Sequence, residues 1–239
     1  MANQWKRIWN QREDHLGAVD ASDRKAMFLE MKRMDGFDIA DGGIPYESLM
    51  EQYRFMERKL CLQEGNSVFE VGCGCGANLY LLHDEGFDVG GLDYSASLIE
   101  AMRKAFPEHA LKECICDEAI HLPIDERYHA VFANSVFSYF PDLQYAEAVL
   151  ERMFAKTMRS IGLLDIHDVD KQEAFIQYRM EHIPDYEERY RDLPKLFYPR
   201  TFFEDFASRH DMGIQFDETE LDGYWNSGFV FDCYLYKSA

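Results

Sequence analysis

The stretch Val68-Phe-Glu-Val-Gly-Cys-Gly-Cys-Gly-Ala-Asn78 decides how this chain folds. Its first part is a short apolar run that follows the turn-like pair Gly65-Asn66, and this pattern predicts a strand over residues 66–71. Apolar residues at helical spacing follow the glycines and predict a helix over residues 77–85. A strand, a glycine-rich loop and a helix in this order bring the backbone and the helix N-terminus close to a bound ligand.

Strand-like and helical segments alternate along the rest of the chain. Further strands are expected at residues 87–92, 110–116, 128–133, 161–166, 214–216 and 229–236. Further helices are expected at residues 98–105, 145–158 and 201–208. No helix separates the last two strands, which favours an antiparallel return of the chain. The sequence therefore predicts an α/β, Rossmann-like sheet of seven strands, parallel except for an antiparallel last strand, with helices on both faces.

The length of the chain suits one substantial core, because 239 residues with 47% hydrophobic content leave little room for two. Residues 1–60 contain helical segments without a strand and are expected to form an N-terminal helical cap outside the sheet. Residues 61–239 then form the main domain, with a polar and aromatic insertion at about 168–198. The cap is expected to act as a lid that covers apolar ligand surface with Trp5, Trp9 and Tyr46.

The charge balance limits the partners of the protein. Lys and Arg total 25 against 44 Asp and Glu, which gives a formal net charge of −19 at pH 7. Such a field repels a polyanion at long range, so DNA, RNA and an anionic membrane surface are not expected partners. No apolar stretch reaches the length of a membrane span, and the N-terminus lacks the apolar core of a signal peptide. A cytoplasmic location is therefore expected.

Three carboxylates lie at successive predicted strand ends, and each suits a different part of a nucleotide-like ligand. Glu70 precedes the first loop glycine by two residues, where a carboxylate can pair with a cationic amino group. Asp93 ends the second strand and can accept both ribose hydroxyls. Asp117 follows the third strand and is well placed to accept from an adenine amino group. A pyrophosphate beside Glu70 is unfavourable, which weighs against the dinucleotide pattern that the same glycines fit.

With these motifs the sequence resembles the class I S-adenosylmethionine-dependent methyltransferases over roughly residues 46–236. The resemblance rests on the loop glycines, on Asp93 with the run that follows it, on Asp117, and on residues 128–142. It implies S-adenosylmethionine as the cofactor, S-adenosylhomocysteine as the product, and methyl transfer as the reaction. The family's cofactor contacts correspond here to Glu70, Gly72, Cys73, Gly74, Gly76, Asp93, Tyr94, Asp117, Glu118 and Asn134.

A narrower resemblance links the chain to bacterial methyltransferases that modify polysaccharides or small metabolites. It rests on residues 5–9, 35–38, 134–140 and 223–227 and implies a small-molecule acceptor. Tyr139, Trp225 and Asn226 fall on the family's substrate face and are therefore candidate acceptor-binding residues. The same residues are equally compatible with ordinary aromatic packing between the sheet and the cap.

The end of the fifth predicted strand carries the candidate base. An oxygen or protonated nitrogen nucleophile has to lose a proton, and the ordinary pKa of a histidine suits that task near neutral pH. His167 follows Asp165 by two residues, so strand alternation predicts that both side chains point to one side. Asp165 or Asp168 is then expected to hold the imidazole. A purely structural histidine remains the alternative.

Other readings of the same residues stay open. Asp165, Asp168 and Asp170 supply oxygen ligands that suit Mg²⁺, although closely spaced acids are more often a solvated loop, and no metal is expected. The glycine loop alone also fits an NAD-dependent oxidoreductase. A non-catalytic protein that binds S-adenosylmethionine is a further alternative.

Overall fold

The computed structural model describes residues 4–12, 15–37 and 43–238. In this part of the chain seven strands form one sheet with the order β3-β2-β1-β4-β5-β7-β6. The strands are β1 (Ser67–Val71), β2 (Asp88–Asp93), β3 (Leu111–Cys116), β4 (Tyr128–Asn134), β5 (Thr157–His167), β6 (Met212–Glu218) and β7 (Val230–Lys237). The α-helices are α1 (Gln4–Trp9), α2 (Arg24–Met34), α3 (Tyr46–Lys59), α4 (Ala77–Asp84), α5 (Ala96–Ala105), α6 (Leu143–Lys156), α7 (Gln172–His182), α8 (Tyr186–Tyr190) and α9 (Arg200–Arg209).

The sheet has the predicted topology. β1 to β5 pair in parallel, and β7 inserts between β5 and β6 and is antiparallel to both. The chain reverses direction between β6 and β7, where the sequence predicts no helix. Adjacent antiparallel strands need only a short connection. The prediction of a seven-stranded, Rossmann-like sheet with an antiparallel last strand is confirmed.

Alternation along the central strands directs side chains into two cores. Val68 of β1 packs into the cluster that contains residues of α4 and α5, whereas Phe69 packs into the cluster that contains residues of α6 and α9. Both side chains are fully buried. Successive strand residues point to opposite faces, so a strand that is apolar throughout requires cover on both sides. Helices therefore lie on both faces of the sheet, as predicted.

The boundary between α6 and β5 differs from the sequence prediction of a helix over residues 145–158. The helix ends at Lys156 and the strand begins at the next residue, Thr157. The fully buried Lys156 donates from Nζ to Glu113 Oε2 at 2.7 Å and to the carbonyl of Pro123 at 2.9 Å. These bonds fix the end of the helix, and Thr157 pairs with Tyr128 as the first residue of the strand.

The N-terminal extension packs directly on the main domain. Of the residues 1–60 that sequence analysis assigned to a cap, 1–3, 13–14 and 38–42 lie outside the described residues. Phe28 and Met31 of α2 and Met56 of α3 are buried in the same core as the residues of α4. The insertion at 168–198 contains α7 and α8. No helix in the described ranges combines the length and the apolar character that crossing a bilayer requires.

Candidate functional site

A cavity of about 680 Å³ lies at the carboxyl ends of β1, β2 and β4. This is the edge at which open α/β sheets bind ligands. Its walls come from the glycine loop after β1, the ends of β2 and β4, and segments outside the sheet. The outer segments are α1, the end of α2 with the residues after it, and residues 192–196 after α8.

The glycine loop takes a shape that other residues do not readily adopt. Gly72, Gly74 and Gly76 have φ values of +71°, +55° and +85°, in the left-handed region that favours glycine. A Cβ on Gly72 would overlap Val136, and a Cβ on Gly74 would overlap the carboxylate of Asp35. Gly72 and Gly74 line the cavity, so their backbone can approach a ligand there, whereas Gly76 does not line it.

Asp93 is buried at the end of β2 and lines the cavity. Its Oδ2 accepts from the backbone N–H of Gly74 at 3.0 Å, and its Oδ1 accepts from that of Ser95 at 2.7 Å. Burial raises the pKa of the carboxyl group, and these two hydrogen bonds oppose the shift. Each oxygen keeps capacity for another donor, so the carboxylate is oriented to accept a pair of hydroxyl groups.

Glu70 is buried beside the loop, and one of its oxygens is unused. Oε1 accepts from Asn78 Nδ2 at 2.8 Å, whereas Oε2 has no hydrogen-bond partner among the described residues. Asn78 Oδ1 in turn accepts from Lys32 Nζ at 2.9 Å, so the amide bridges the two charged groups. Burial raises the pKa of Glu70 to about 8. A buried, unpartnered carboxylate oxygen that lines a cavity fits a cationic ligand group.

Lys32 of α2 and Asp35 at its C-terminal end also line the cavity, and neither was among the site residues predicted from the sequence. The Asp35 carboxylate accepts from the backbone N–H of Cys75 at 2.8 Å, and burial raises its pKa to about 7. A signal for Lys32 exists in the sequence, because it lies four residues after Phe28 on the buried stripe of an amphipathic helix. A cation on such a stripe needs a polar partner inside the protein.

The structure separates the two acids that follow β3. Glu118 lines the cavity and forms an ion pair with Lys6 of α1 at 2.9 Å. Asp117 is exposed and does not line the cavity, and its Oδ1 lies 2.9 Å from His121 Nδ1. A hydrogen bond with His121 is the main cause that lowers the pKa of Asp117. Tyr94 lines the cavity near this end.

Another part of the cavity lining, called here the aromatic end, contains Trp5, Trp9 and Tyr139. The ring of Tyr139 lies edge-on to Trp5 at 4.8 Å and to Trp9 at 5.8 Å between centroids. Lys195 Nζ lies 3.4 Å from the centroid of the Tyr139 ring. Asn134 at the end of β4 also lines the cavity. Sequence analysis missed Lys195, which lies in the insertion, where no local pattern distinguishes it from other lysines.

Two candidate acceptor residues do not reach the cavity. Trp225 is 37% exposed, beside the guanidinium of Arg179 at 5.2 Å. Asn226 accepts from Arg179 and donates from Nδ2 to the Tyr224 hydroxyl at 2.8 Å. Neither residue lines the cavity, because the turn that carries both packs against α7.

The expected pairing of Asp165 with His167 is wrong. Asp165 has a φ of +62°, and the pairing of β5 with β7 shifts register between Leu163 and Ile166, which interrupts the alternation on which the expectation rested. The Tyr224 hydroxyl donates to Asp165 Oδ2 at 2.6 Å. His167 lies between the rings of two phenylalanines, and neither of its ring nitrogens has a hydrogen-bond partner among the described residues. Neither Asp165 nor His167 lines the cavity.

Asp168, which directly follows β5, is engaged within the protein, whereas Asp170 is exposed. Asp168 accepts from the backbone N–H of Asp170 at 3.0 Å and lies 3.6 Å from the Arg200 guanidinium. Within the described ranges, no group of three or more His, Cys, Asp and Glu side chains is arranged to hold a metal ion.

Comparisons with known proteins agree with this geometry. Residues 68–159 match a family model described as a methyltransferase domain. The structure of magnesium protoporphyrin IX methyltransferase from Synechocystis PCC 6803 with bound S-adenosylhomocysteine superposes with a TM-score of 0.65 at 14% identity. The superposition covers 98% of this chain and 99% of that chain. A second structure of that enzyme contains S-adenosylmethionine.

Two further proteins are similar over part of this chain. A structure reported for the conversion of a disulfide bond into a thioacetal group during echinomycin biosynthesis has a TM-score of 0.55 at 19% identity, over 77% of this chain and 79% of that chain. The nonribosomal peptide synthetase dtxS1 of Metarhizium robertsii is 26% identical over 119 residues, which are 47% of this chain and 2% of that much longer protein. At these identities the structural likenesses show a shared fold.

Proposed function

We propose that this chain is a class I S-adenosylmethionine-dependent methyltransferase, and that it methylates an oxygen or nitrogen nucleophile of a small polar metabolite or saccharide precursor. The single observation that carries the proposal is the cavity itself. It presents the glycine loop with Glu70 Oε2, which has no hydrogen-bond partner among the described residues, together with an aromatic pocket around Tyr139.

The residues at the loop end fit the cofactor. Glu70 Oε2 accepts from the ammonium of the methionine part, and Asp93 accepts from the ribose hydroxyls, since both carboxylates line the cavity. Glu118 lies at the end of β3, where it borders the adenine. The bound sulfonium supplies an electrophilic methyl carbon, so the chain's own contribution is chiefly to position a nucleophile and to exclude water.

The aromatic end supports a small acceptor. Trp5, Trp9 and Tyr139 form apolar walls that face the cavity, and they replace water around the transferred group. Residues 1–60 act in this proposal as a lid, to which Trp5 and Trp9 belong. Tyr46, the third predicted lid residue, packs instead on Phe28 at 6.1 Å between ring centroids. The net charge of −19 supports an acceptor other than a nucleic acid or a membrane.

Labelled methyl transfer tests the proposed function. The protein is incubated with S-adenosylmethionine that carries an isotopically labelled methyl group and with metabolite fractions separated by size. We expect the label in products of low molecular mass. Label that enters only nucleic acid or protein would contradict the small-molecule proposal. Asp93→Ala serves as the control that removes cofactor-dependent labelling.

Amide hydrogen exchange tests the lid. Binding of S-adenosylhomocysteine is expected to slow exchange in α1, because Lys6 pairs with Glu118 and both tryptophans of the helix border the cavity. The exposed surface of α7 serves as the internal control. Unchanged exchange in α1 at saturating ligand would contradict a lid.

A further inference from the structure

The described residues that line the cavity include two cations, and they lie in different surroundings. Lys32 lies beside the glycine loop, where it donates to Asn78 and faces the carboxylates of Glu70 and Asp35. Lys195 lies at the aromatic end, and no carboxylate of the described residues lies within ion-pair distance of its Nζ. The loop end thus carries compensated charge, whereas the ammonium at the aromatic end has no ion-pair partner among the residues that the structure describes.

The contacts of Lys195 leave donors unused. Its Nζ lies over the rings of Tyr139 at 3.4 Å and of Trp5 at 5.0 Å, and it donates to Ser138 Oγ at 3.2 Å. An ammonium has three donors, so the hydroxyl satisfies one of them. Aromatic faces attract a cation but do not replace the two missing hydrogen bonds. The charge of the Asp165 carboxylate raises the pKa of Lys195. This carboxylate already accepts a hydrogen bond from the Tyr224 hydroxyl.

The backbone on both sides of Lys195 is held in place. Trp5 Nε1 donates to the carbonyl of Pro194 at 3.3 Å, and the backbone N–H of Leu196 donates to the carbonyl of Ser138 at 2.8 Å. These bonds connect the segment to α1 and to the turn after β4. The ammonium is therefore presented to the cavity by a fixed backbone rather than by a free surface side chain.

From these contacts we propose that Lys195 binds a carboxylate of the methyl acceptor, so that the acceptor is a small organic acid whose apolar body lies against Trp5 and Tyr139. The inference rests on the proposed function and names its substrate class. A carboxylate supplies two acceptor oxygens for the unused donors and compensates a half-buried charge. Burial lowers the pKa of Lys195 to about 7, and a bound anion favours the charged form of the ammonium.

The charge distribution of the cavity sets the orientation of such an acid. Four acidic residues line the loop end, namely Asp35, Glu70, Asp93 and Glu118. Lys32, the cation at the loop end, already donates to Asn78 and faces Glu70 and Asp35, so the anionic group of the acceptor is directed toward Lys195. The opposite orientation would place the carboxylate beside the acids and leave the ammonium uncompensated.

Matched acid and amide probes test the inference without requiring turnover. Benzoate and phenylacetate are titrated by calorimetry into the protein saturated with S-adenosylhomocysteine, in parallel with benzamide and phenylacetamide. We expect each acid to bind at least about tenfold more tightly than its amide, which is the size of one charge-assisted contact. Lys195→Met should abolish the preference and leave the affinity for S-adenosylhomocysteine within about twofold. Lys195→Arg should retain part of it, because the charge remains.

The control variant is Lys171→Met, which removes the same charge from an exposed position outside the cavity. It should keep the full acid preference.

The inference is overturned if amides bind as well as acids, if no probe binds the wild-type complex, or if Lys195→Met keeps the preference. If the wild type binds acids and amides equally and Lys195→Met loses turnover, Lys195 acts as a base and does not bind a carboxylate. A wild type that binds S-adenosylhomocysteine and prefers acids, but labels only macromolecules, would contradict the proposed function and the small acceptor, while the carboxylate site at Lys195 would stand.

Discussion

The Asp35 carboxylate accepts a hydrogen bond from the backbone N–H of Cys75, with 2.8 Å between Oδ1 and the nitrogen. Asp35 ends α2 in the N-terminal extension, whereas Cys75 lies in the glycine loop after β1. The extension therefore helps to shape the cofactor loop as well as to cover it. Gly74 is packed against the same carboxylate, so the loop and the end of α2 have to be considered together.

The first prediction concerns Gly74→Ala. The added Cβ would overlap the Asp35 carboxylate, and alanine at a φ of +55° costs about 1–2 kcal/mol. We expect the affinity for S-adenosylhomocysteine to fall at least about tenfold because the loop and Asp35 move apart. Gly86→Ala is the matched control, since Gly86 has a φ of +88° but no atom within 4 Å of its added Cβ. Equal ligand affinities of the two variants by calorimetry would contradict the prediction.

The second prediction separates two acids at neighbouring strand ends. Asp93→Ala should weaken binding of S-adenosylhomocysteine about 100-fold, because a charge-assisted hydrogen bond contributes about 1.5–3 kcal/mol and two ribose hydroxyls are available. Asp117→Ala should change the affinity less than about threefold, because Asp117 is exposed and lies outside the cavity lining. The family resemblance assigns Asp117 to the adenine. A tenfold loss of affinity for S-adenosylhomocysteine in Asp117→Ala would support that assignment and contradict the assignment to Glu118.

The third prediction is a proton released on cofactor binding. Burial raises the pKa of Glu70 in the ligand-free protein to about 8, so the carboxyl group is largely protonated at pH 7. A ligand ammonium next to Oε2 favours the ionised form and lowers this pKa. Protons are therefore released on binding, and the affinity rises with pH up to about 8 and then levels off.

Calorimetry at pH 7 in buffers of different ionisation enthalpy measures this release. The wild type should release up to about one proton per bound S-adenosylhomocysteine. Glu70→Gln removes the titrating group and should show a smaller release together with weaker binding. The same buffer dependence in both proteins would show that another group titrates.

The topology of the sheet could be predicted because the patterns that indicate it lie within short segments of the sequence. The glycine loop fixes the first β-α unit, and the apolar run of β1 requires cover on both faces, so the topology follows from short patterns. Glu70 and Asp93 were identified because strand ends converge at one edge of the sheet. Lys32 and Lys195 were missed because they reach the cavity from segments far from the motif, where only tertiary packing brings them together.

The end of β5 shows where strand alternation fails. The expectation that Asp165 and His167 share a face assumes extended backbone at every position. The left-handed conformation of Asp165 changes the direction of the side chains after it. Positive φ is uncommon for residues other than glycine, and no local sequence pattern predicts it at Asp165.

The last prediction concerns His167 and separates a base from a structural residue. A general base contributes about 10²–10⁴-fold to turnover, so a base at this position predicts a loss of at least about 100-fold in His167→Ala. Burial is the main cause that lowers the pKa of His167 well below its usual value, and the ring packs at 4.9 Å from Phe175 and 5.1 Å from Phe197. These contacts favour a structural role for a neutral ring.

His167→Phe distinguishes the two roles, because the phenylalanine ring keeps the contacts with Phe175 and Phe197 but lacks both ring nitrogens. We expect turnover at saturating acceptor, with the acceptor found by labelled methyl transfer, to stay within about threefold of the wild type. His167→Ala should lower the melting temperature through the cavity that it leaves, while the phenylalanine variant should not. A loss of turnover of 100-fold in His167→Phe, with unchanged affinity for S-adenosylhomocysteine, would instead require a movement that brings the imidazole into the cavity.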